Sequence, residues 1–449
     1  MNAIATKLKT TIFRTNEIVI VFAMISAIIS GIAIVNGKWL YVGVLFIMPF
    51  IIYICVEKPF IFPFGLYVFS IPFDSVLVMT GSQRGPTFTK LCGVLTILIF
   101  IFKGLFENKL KKPDSVVIWW TLFVLYGALS RFWAINPDTT LSLTTISLLI
   151  FYLVVASYKI QKSELETLKW FILAGGLLAA IYTSYNSMTG YTMDSGRGTL
   201  MLGNYTANPN TIAFGLLIPL SICVDKIIRH KSITMKCLYV IVLGIILTTI
   251  VITGSRSSML GVATIFIIYI FSIKKKISTG IIMVAIGLIA ISLAPDLFID
   301  RWSQAVETRG SGRVDIWFVG LEAIKKYWVL GAGNNNFPNA YNEFIYLTPQ
   351  FIGYDFGSHN QFLGLLVELG IFGFSLFVLA IIKHSKKIHL QANEFNTNHI
   401  ILKAALGGIL VSSFFGDNML DKSFWLLWMM ILMNHNVITY DNNFMSKLR

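Results

Sequence analysis

The sequence predicts an all-α, polytopic membrane protein, and three observations predict it. Of 449 residues, 55% are hydrophobic and only 13% carry a charge. Mean hydropathy is +0.72, and apolar runs of about 20 residues recur along the chain, each long enough to cross a bilayer as a helix. Inside lipid only helices and closed barrels satisfy their own backbone, and these runs lack the alternation of barrel strands. Length alone would suggest about three soluble domains; the composition replaces them with a single integral membrane domain over 1–449.

Taken in order, the spans are 18–35, 39–56, 60–79, 88–106, 115–133, 139–157, 165–186, 209–228, 236–253, 258–273, 279–295, 360–382, 400–416 and 422–438, about fourteen in all. Lys7, Lys9 and Arg14 precede the first run as in a signal peptide. No small-residue cleavage site follows, so the run reads as an uncleaved first helix. The connections "ENKLKKPD", "SYKIQKSE", "DKIIRHKSITMK", "SIKKKIS" and "KHSKKIH" alternate with loops poor in lysine. The positive-inside rule puts these five loops, and both termini, in the cytoplasm.

Two external segments are then longer than a turn. One is 187–208, rich in Gly, Asn and Thr. The other is 296–358, where "GRVDIWFVGLEAIKKYW" sets Val314, Trp317, Phe318, Leu321, Ile324 and Trp328 at helical spacing. Asp315, Glu322 and Lys326 fall on the other side, which predicts an amphipathic helix on the membrane surface or capping the bundle. There is no internal repeat and no low-complexity segment.

The net charge of +14 would suggest nucleic acid in a soluble protein. Here it reads as topology, and no nucleic-acid partner is expected. Cys55, Cys92, Cys223 and Cys237 lie in or beside apolar segments without a CxxC pair, so neither a disulfide framework nor a zinc site follows.

Topology sorts the arginines. Of ten, Arg84, Arg131, Arg197, Arg256, Arg301, Arg309 and Arg313 fall outside, while cytoplasmic loops use lysine. Orientation rules treat the two residues alike. Arginine differs in its planar fork, which grips phosphate or carboxylate bidentately. An anionic ligand such as diphosphate is one reading, and anchoring at lipid headgroups is the other. Arg256, in the short turn "TGSRSSMLG", sits among hydroxyls at a helix N-terminus, a combination that binds anions. Arg197 lies between glycines in "SGRGT", a loop able to close over a ligand. Arg313 follows "GSG" at the start of the amphipathic helix.

Of six histidines, only His359 falls outside; His230, His384, His389, His399 and His435 do not. In "GSHNQFLGLLVELG" it is the one external imidazole available for acid–base work, or an interfacial helix cap. Asp355 could orient its ring if the turn folds back, and Asn360 stands beside it. Glu368 lies about 13 Å into the following helix, facing the bundle interior or a water-filled cavity, or packing helices by a hydrogen bond. Asn334, Asn335 and Asn336 form a polar turn that binds sugar hydroxyls or ends a helix. Absences narrow the chemistry: no GxxxxGK[ST], so no nucleotide hydrolysis; no external DxD, HExxH or His cluster, so no catalytic metal and no cofactor; no GxSxG elbow.

At "TGSRSSMLG", "GSGRVDIWFVGLEAIKKYWVLGAGNNNF" and "SHNQFLGLLVELGIFG" the chain resembles the O-antigen ligase family, which includes related polysaccharide polymerases of bacterial envelopes. The upstream "LSRFWAINPDTT" also looks like a segment common in them. The resemblance runs from about residue 60 to about 430 and implies a GT-C-like bundle of about twelve spans. It implies transfer of a glycan from undecaprenyl diphosphate, at the outer face of the bacterial inner membrane and without a metal. Ligases use lipid A–core as acceptor; polymerases use another lipid-linked repeat unit. Arg197 and Arg256 would hold the donor diphosphate with Arg313 as a third contact, and His359 would be the base or orient the acceptor hydroxyl. A single displacement would invert the anomeric centre. A lipid-linked oligosaccharide transporter would instead carry charges along a mid-membrane path and two similar halves, and here polar residues gather on one face. A scaffold without chemistry is the remaining alternative.

Overall fold

A computed structural model describes residues 53–79, 85–137, 140–193, 196–272, 276–293, 295–308, 310–348, 353–389 and 398–448, with isolated positions before residue 53. The expected span 18–35, most of 39–56, Arg84 and Arg309 lie outside the described residues.

The described chain is an all-α bundle of sixteen helices. The first half comprises α1 (Phe64–Ser70), α2 (Phe88–Phe106), α3 (Val117–Leu129), α4 (Thr140–Ser157) and α5 (Lys162–Met188). Next come α6 (Pro209–Gly215), α7 (Leu217–Arg229), α8 (Ile233–Ile252), α9 (Arg256–Ser272) and α10 (Lys276–Ser292). The rest are α11 (Pro295–Glu307), α12 (Arg313–Tyr327), α13 (Phe337–Phe344), α14 (Gln361–His389), α15 (Asn398–Phe414) and α16 (Lys422–Leu448). Among the described residues, five segments are long and apolar enough to cross a membrane: Phe88–Phe106, Lys162–Met188, Pro209–Arg229, Ile233–Ile252 and Gln361–Ile388. The chain is a polytopic integral membrane protein.

Local chemistry sets the boundaries. Thr87 caps α2 by accepting from the Lys90 amide, and Gln161 with Glu164 forms a reciprocal capping box at the start of α5. The expected span 60–79 is not one helix. Helix α1 ends at Ser70, a 3-10 turn covers Ile71–Phe73 with Pro72 in it, and Asp74 turns the chain away. Seven helical residues rise about 10 Å, too little to cross lipid.

Packing relies on small residues where helices approach closely. Helix α9 crosses α15 through Gly261 and Gly408: a Cβ on Gly261 would lie 2.9 Å from the Gly408 carbonyl oxygen. Trp120, Trp425 and Trp428 are fully buried and, with Phe377, join α3, α14 and α16. Ion pairs such as Lys387–Asp114 and Arg229–Asp225, both 2.6 Å, neutralise charges at the lysine-rich end.

Helix α14 is broken at Gly370, whose φ of 60° and ψ of −169° are not helical. Into the break fits the turn after α12. The Ala332 amide donates to Val367 O at 2.9 Å, the Gly333 amide to Glu368 O at 2.8 Å, and the Ile371 amide to Trp328 O at 2.8 Å. Carbonyls freed by the break are thus paired by protein, the condition for irregular backbone at membrane depth. A Cβ at Gly331 would sit 2.1 Å from Glu368 O, so that position tolerates no side chain.

Segment 187–208 forms two short hairpins, Thr192–Met193 with Arg197–Gly198 and Met201–Leu202 with Tyr205–Thr206. Segment 296–358 carries α11, α12 and α13. Helix α12 differs from the expected two-faced helix: Asp315 is buried beside Ile316, Val319 and Ala323, whereas Val314, Phe318, Leu321 and Trp328 are exposed. The cause is Gly320, which lets Leu363 and Phe337 approach and turns the small-residue face inward.

Candidate active site

Four arginines converge at the end of the bundle opposite the paired lysines. Arg197 is held by the first hairpin, and Gly198 beside it permits close approach to α8, since a Cβ there would meet Ile252 at 2.3 Å. The Arg197 Nε donates to Thr253 O at 2.8 Å and Nη2 to Asn210 Oδ1 at 2.7 Å. Arg256 opens α9 after a turn at Gly254, where φ is 61°. Its Nη2 donates to Ser311 Oγ at 2.9 Å and its Nη1 to Arg301 O at 3.3 Å. Arg301 on α11 returns a bond from Nε to Gly254 O at 3.4 Å. Arg313, first in α12, donates to Phe415 O at 2.7 Å.

Every one of these partners is a carbonyl, an amide oxygen or a hydroxyl. Among the described residues no carboxylate pairs with any of the four. Burial first, then repulsion by Arg301, Arg313 and Arg256, pushes the Arg197 guanidinium down to about 10. Burial followed by Arg301 likewise lowers Arg313, and burial lowers Arg301. Like charges held together without a paired carboxylate among the described residues form a field that an anion relieves.

His359 stands beside this cluster. It adopts φ 47°, left-handed for a non-glycine residue, between two anchored neighbours. Ser358 is buried; its carbonyl accepts from Trp317 Nε1 at 3.0 Å, and its Oγ donates to Asn360 O at 2.9 Å. Asn360 is buried and its Oδ1 caps α14, accepting from the Phe362 and Leu363 amides at 3.0 and 3.1 Å. The helix cap is therefore Asn360, and the imidazole is left exposed at the rim. Protein on its inner side, then the Arg313 charge, hold His359 below its usual 6.5. It is consequently neutral at pH 7, with a lone pair free to take a proton.

The other expected residues make contacts of their own, and Glu368, Asn334 and Asn335 line a small pocket with Gln361 and Asp417. Asp355 accepts from Asn342 Nδ2 at 2.6 Å and its amide donates to Asn342 Oδ1 at 2.9 Å, tying the loop to α13 rather than to the imidazole. Glu368 Oε1 accepts from the Phe337 amide at 3.1 Å, a carboxylate at the start of α13. Asn336 clamps residue 136 from both sides, accepting its amide at 2.8 Å and donating to its carbonyl at 2.9 Å. Nothing in the sequence sets Arg301 apart from the other external arginines, or marks Asn210 as the partner of Arg197 or Trp317 as that of Ser358. Asn210 follows Asn208-Pro209 at a helix start, a local cue to its position but not to its partner.

Residues 241–378 match the family profile described as O-antigen ligase. The chain carries an O-antigen ligase family domain. Arg256, Arg301, Arg313 and His359 all fall inside the matched segment, and Arg197 precedes it. The family matched over these residues implies a glycosyl-transfer type of enzyme in general, acting on lipid-linked glycans. Comparison with curated proteins finds no match.

Proposed function

We propose that this O-antigen ligase family protein is a metal-independent, inverting glycosyltransferase. It takes a glycan from undecaprenyl diphosphate at the outer face of the cytoplasmic membrane and passes it to a lipid A–core acceptor. The observation that supports the reading is the set of four guanidiniums, none paired with a carboxylate among the described residues, beside one neutral, exposed imidazole. The orientation, with the arginine end outside and both termini cytoplasmic, rests on the lysines gathered at the opposite end.

The acceptor hydroxyl gives its proton to His359 as its oxygen attacks the anomeric carbon. The bond from that carbon to the diphosphate oxygen breaks, and the electron pair leaves with the diphosphate. A diphosphate diester becomes a monoester and gains one negative charge, the charge that Arg197, Arg256, Arg301 and Arg313 stabilise. Attack opposite the leaving group inverts the centre.

Deletion followed by inspection of the surface glycan tests the acceptor. Intact long chains retained on the lipid carrier fit a ligase. Single repeat units on the acceptor would make the protein the polymerase that joins lipid-linked repeat units.

A further inference from the structure

A cavity of about 270 Å³ opens between the turn after α1, the first turn of α6 and the loop before α16. It lies near the lower edge of the range of about 300–1,000 Å³ common for small-molecule sites. Its polar wall is Asp74, Ser75, Thr211, Asp417, Asp421 and Lys422, with apolar Ile71, Ile212 and Leu420 between them. Lys422 pairs with Asp74, and Asp74 also accepts from Thr87 Oγ1 at 2.6 Å. Burial raises Asp417 and Asp421, the latter to about 6; Asp421 accepts from the Ser423 amide at 2.7 Å.

A second observation points into the same space. A smaller pocket of about 50 Å³ shares Asp417 and Leu420 with the first and is lined by Gln361. Gln361 is 1% exposed, and its Oε1 is fixed by the Asn418 amide at 3.2 Å. Its Nε2 has no hydrogen-bond partner among the described residues. A buried donor without a partner costs about 1–3 kcal/mol, and a ligand oxygen would satisfy it.

We infer that this composite cavity is a saccharide subsite, taking one sugar ring of a lipid-linked or acceptor glycan through its hydroxyl groups. Carboxylates accept from sugar hydroxyls while Lys422, Gln361 and the side-chain hydroxyls donate to them, and the apolar residues face the ring. With four carboxyl groups, Asp74, Asp417, Asp421 and Glu368, against Lys422, the subsite favours uncharged or amino sugars over acidic ones. Location ties it to the reaction. Asn210 holds Arg197 while its neighbour Thr211 lines the cavity, and Gln361 is two residues from His359. The loop between α15 and α16 runs from the carbonyl that holds Arg313 to Asp417 and Asp421.

This inference deepens the proposed glycosyl transfer and rests on it for the source of the sugar. Thr211 and Ser75 are exposed rim residues whose hydroxyls have no partner among the described residues, so Thr211→Trp and Ser75→Trp fill the space without disturbing the core. Wild type and variants are purified in detergent and titrated with three probes. These are undecaprenyl diphosphate, the undecaprenyl-diphosphate-linked repeat unit isolated from cells expressing the protein, and the same repeat unit freed of lipid. Expected is unchanged affinity for undecaprenyl diphosphate with at least a tenfold loss for one sugar-bearing probe. Loss confined to the lipid-linked unit marks a donor subsite; loss for the free oligosaccharide marks an acceptor subsite. Unchanged affinity for all three probes in both variants overturns the subsite. Transfer is measured separately: wild type that binds sugar but transfers none defeats the proposed reaction and leaves the subsite standing.

Discussion

The indole of Trp317 donates to the carbonyl of Ser358 at 3.0 Å, and this bond fixes the turn that carries His359. The ring is seated against Phe414 and Phe415, so α12, the end of α15 and the mouth of α14 meet at one side chain. Trp317→Phe keeps the ring and loses the donor. Turnover is expected to fall about tenfold, the equivalent of one hydrogen bond, with KM for the lipid donor unchanged. Initial rates over a donor series check it, and a rise in KM alone would show that Trp317 shapes binding instead.

The four arginines differ from lysine in their forked donors. Arg256→Lys keeps the charge but cannot hold Ser311 Oγ, the Arg301 carbonyl and a phosphate at once. A loss of about 10²–10³ in rate is expected, as for removal of a transition-state donor. Arg301→Lys is expected to behave alike, because its cross-tie to Gly254 supports Arg256. Wild-type product from either variant, with the protein in the membrane, would leave these residues as headgroup anchors.

His359 must be neutral to accept a proton, and burial with the Arg313 charge lowers its affinity for one. Activity should therefore hold as pH falls past neutrality and decline with a midpoint below 6.5, the ordinary histidine value. Arg313→Gln removes a repulsive charge, so the acidic limb should move to higher pH. A kcat profile between pH 5 and 8 measures both, and an acidic limb that does not move in the variant would separate the two residues.

Glu368 and Gly370 test the broken helix. Glu368→Gln retains an oxygen for the Phe337 amide, so activity within about twofold of wild type is expected if its work is packing. Gly370→Ala would place a Cβ 2.2 Å from Val329 O and should cost several kcal/mol or prevent folding. Thermal unfolding in detergent reads the second and transfer assays read the first.

Hydropathy reads long, uninterrupted spans well. Span 88–106 coincides with Phe88–Phe106 because a Thr cap and a lysine mark its ends. It fails where the chain changes direction inside apolar sequence. Residues 60–79 are as greasy as their neighbours yet turn at Pro72 and Asp74, and "VELGIFG" reads as continuous helix although Gly370 breaks it. Both features depend on partners remote in sequence. The candidate site is legible in residue type but not in assembly. Arg197, Arg256, Arg313 and His359 stand out by residue type and sidedness, whereas Arg301 resembles any rim arginine until its bond to Gly254 is seen. Asp315 reads as a solvent-facing charge because small Gly320 and Ala323 hide which face of α12 packs inward.

The central claim is that His359 removes the acceptor proton while guanidiniums, in place of a metal, carry the leaving diphosphate. The initial rate of glycan transfer by purified wild type and His359→Ala, in chelator with lipid-linked donor and acceptor, tests it most directly. The account predicts full wild-type transfer with inverted configuration and a variant that is folded, binds donor and forms no product. Transfer by the variant at the wild-type rate, or wild-type activity that vanishes in chelator and returns with a divalent ion, would contradict it.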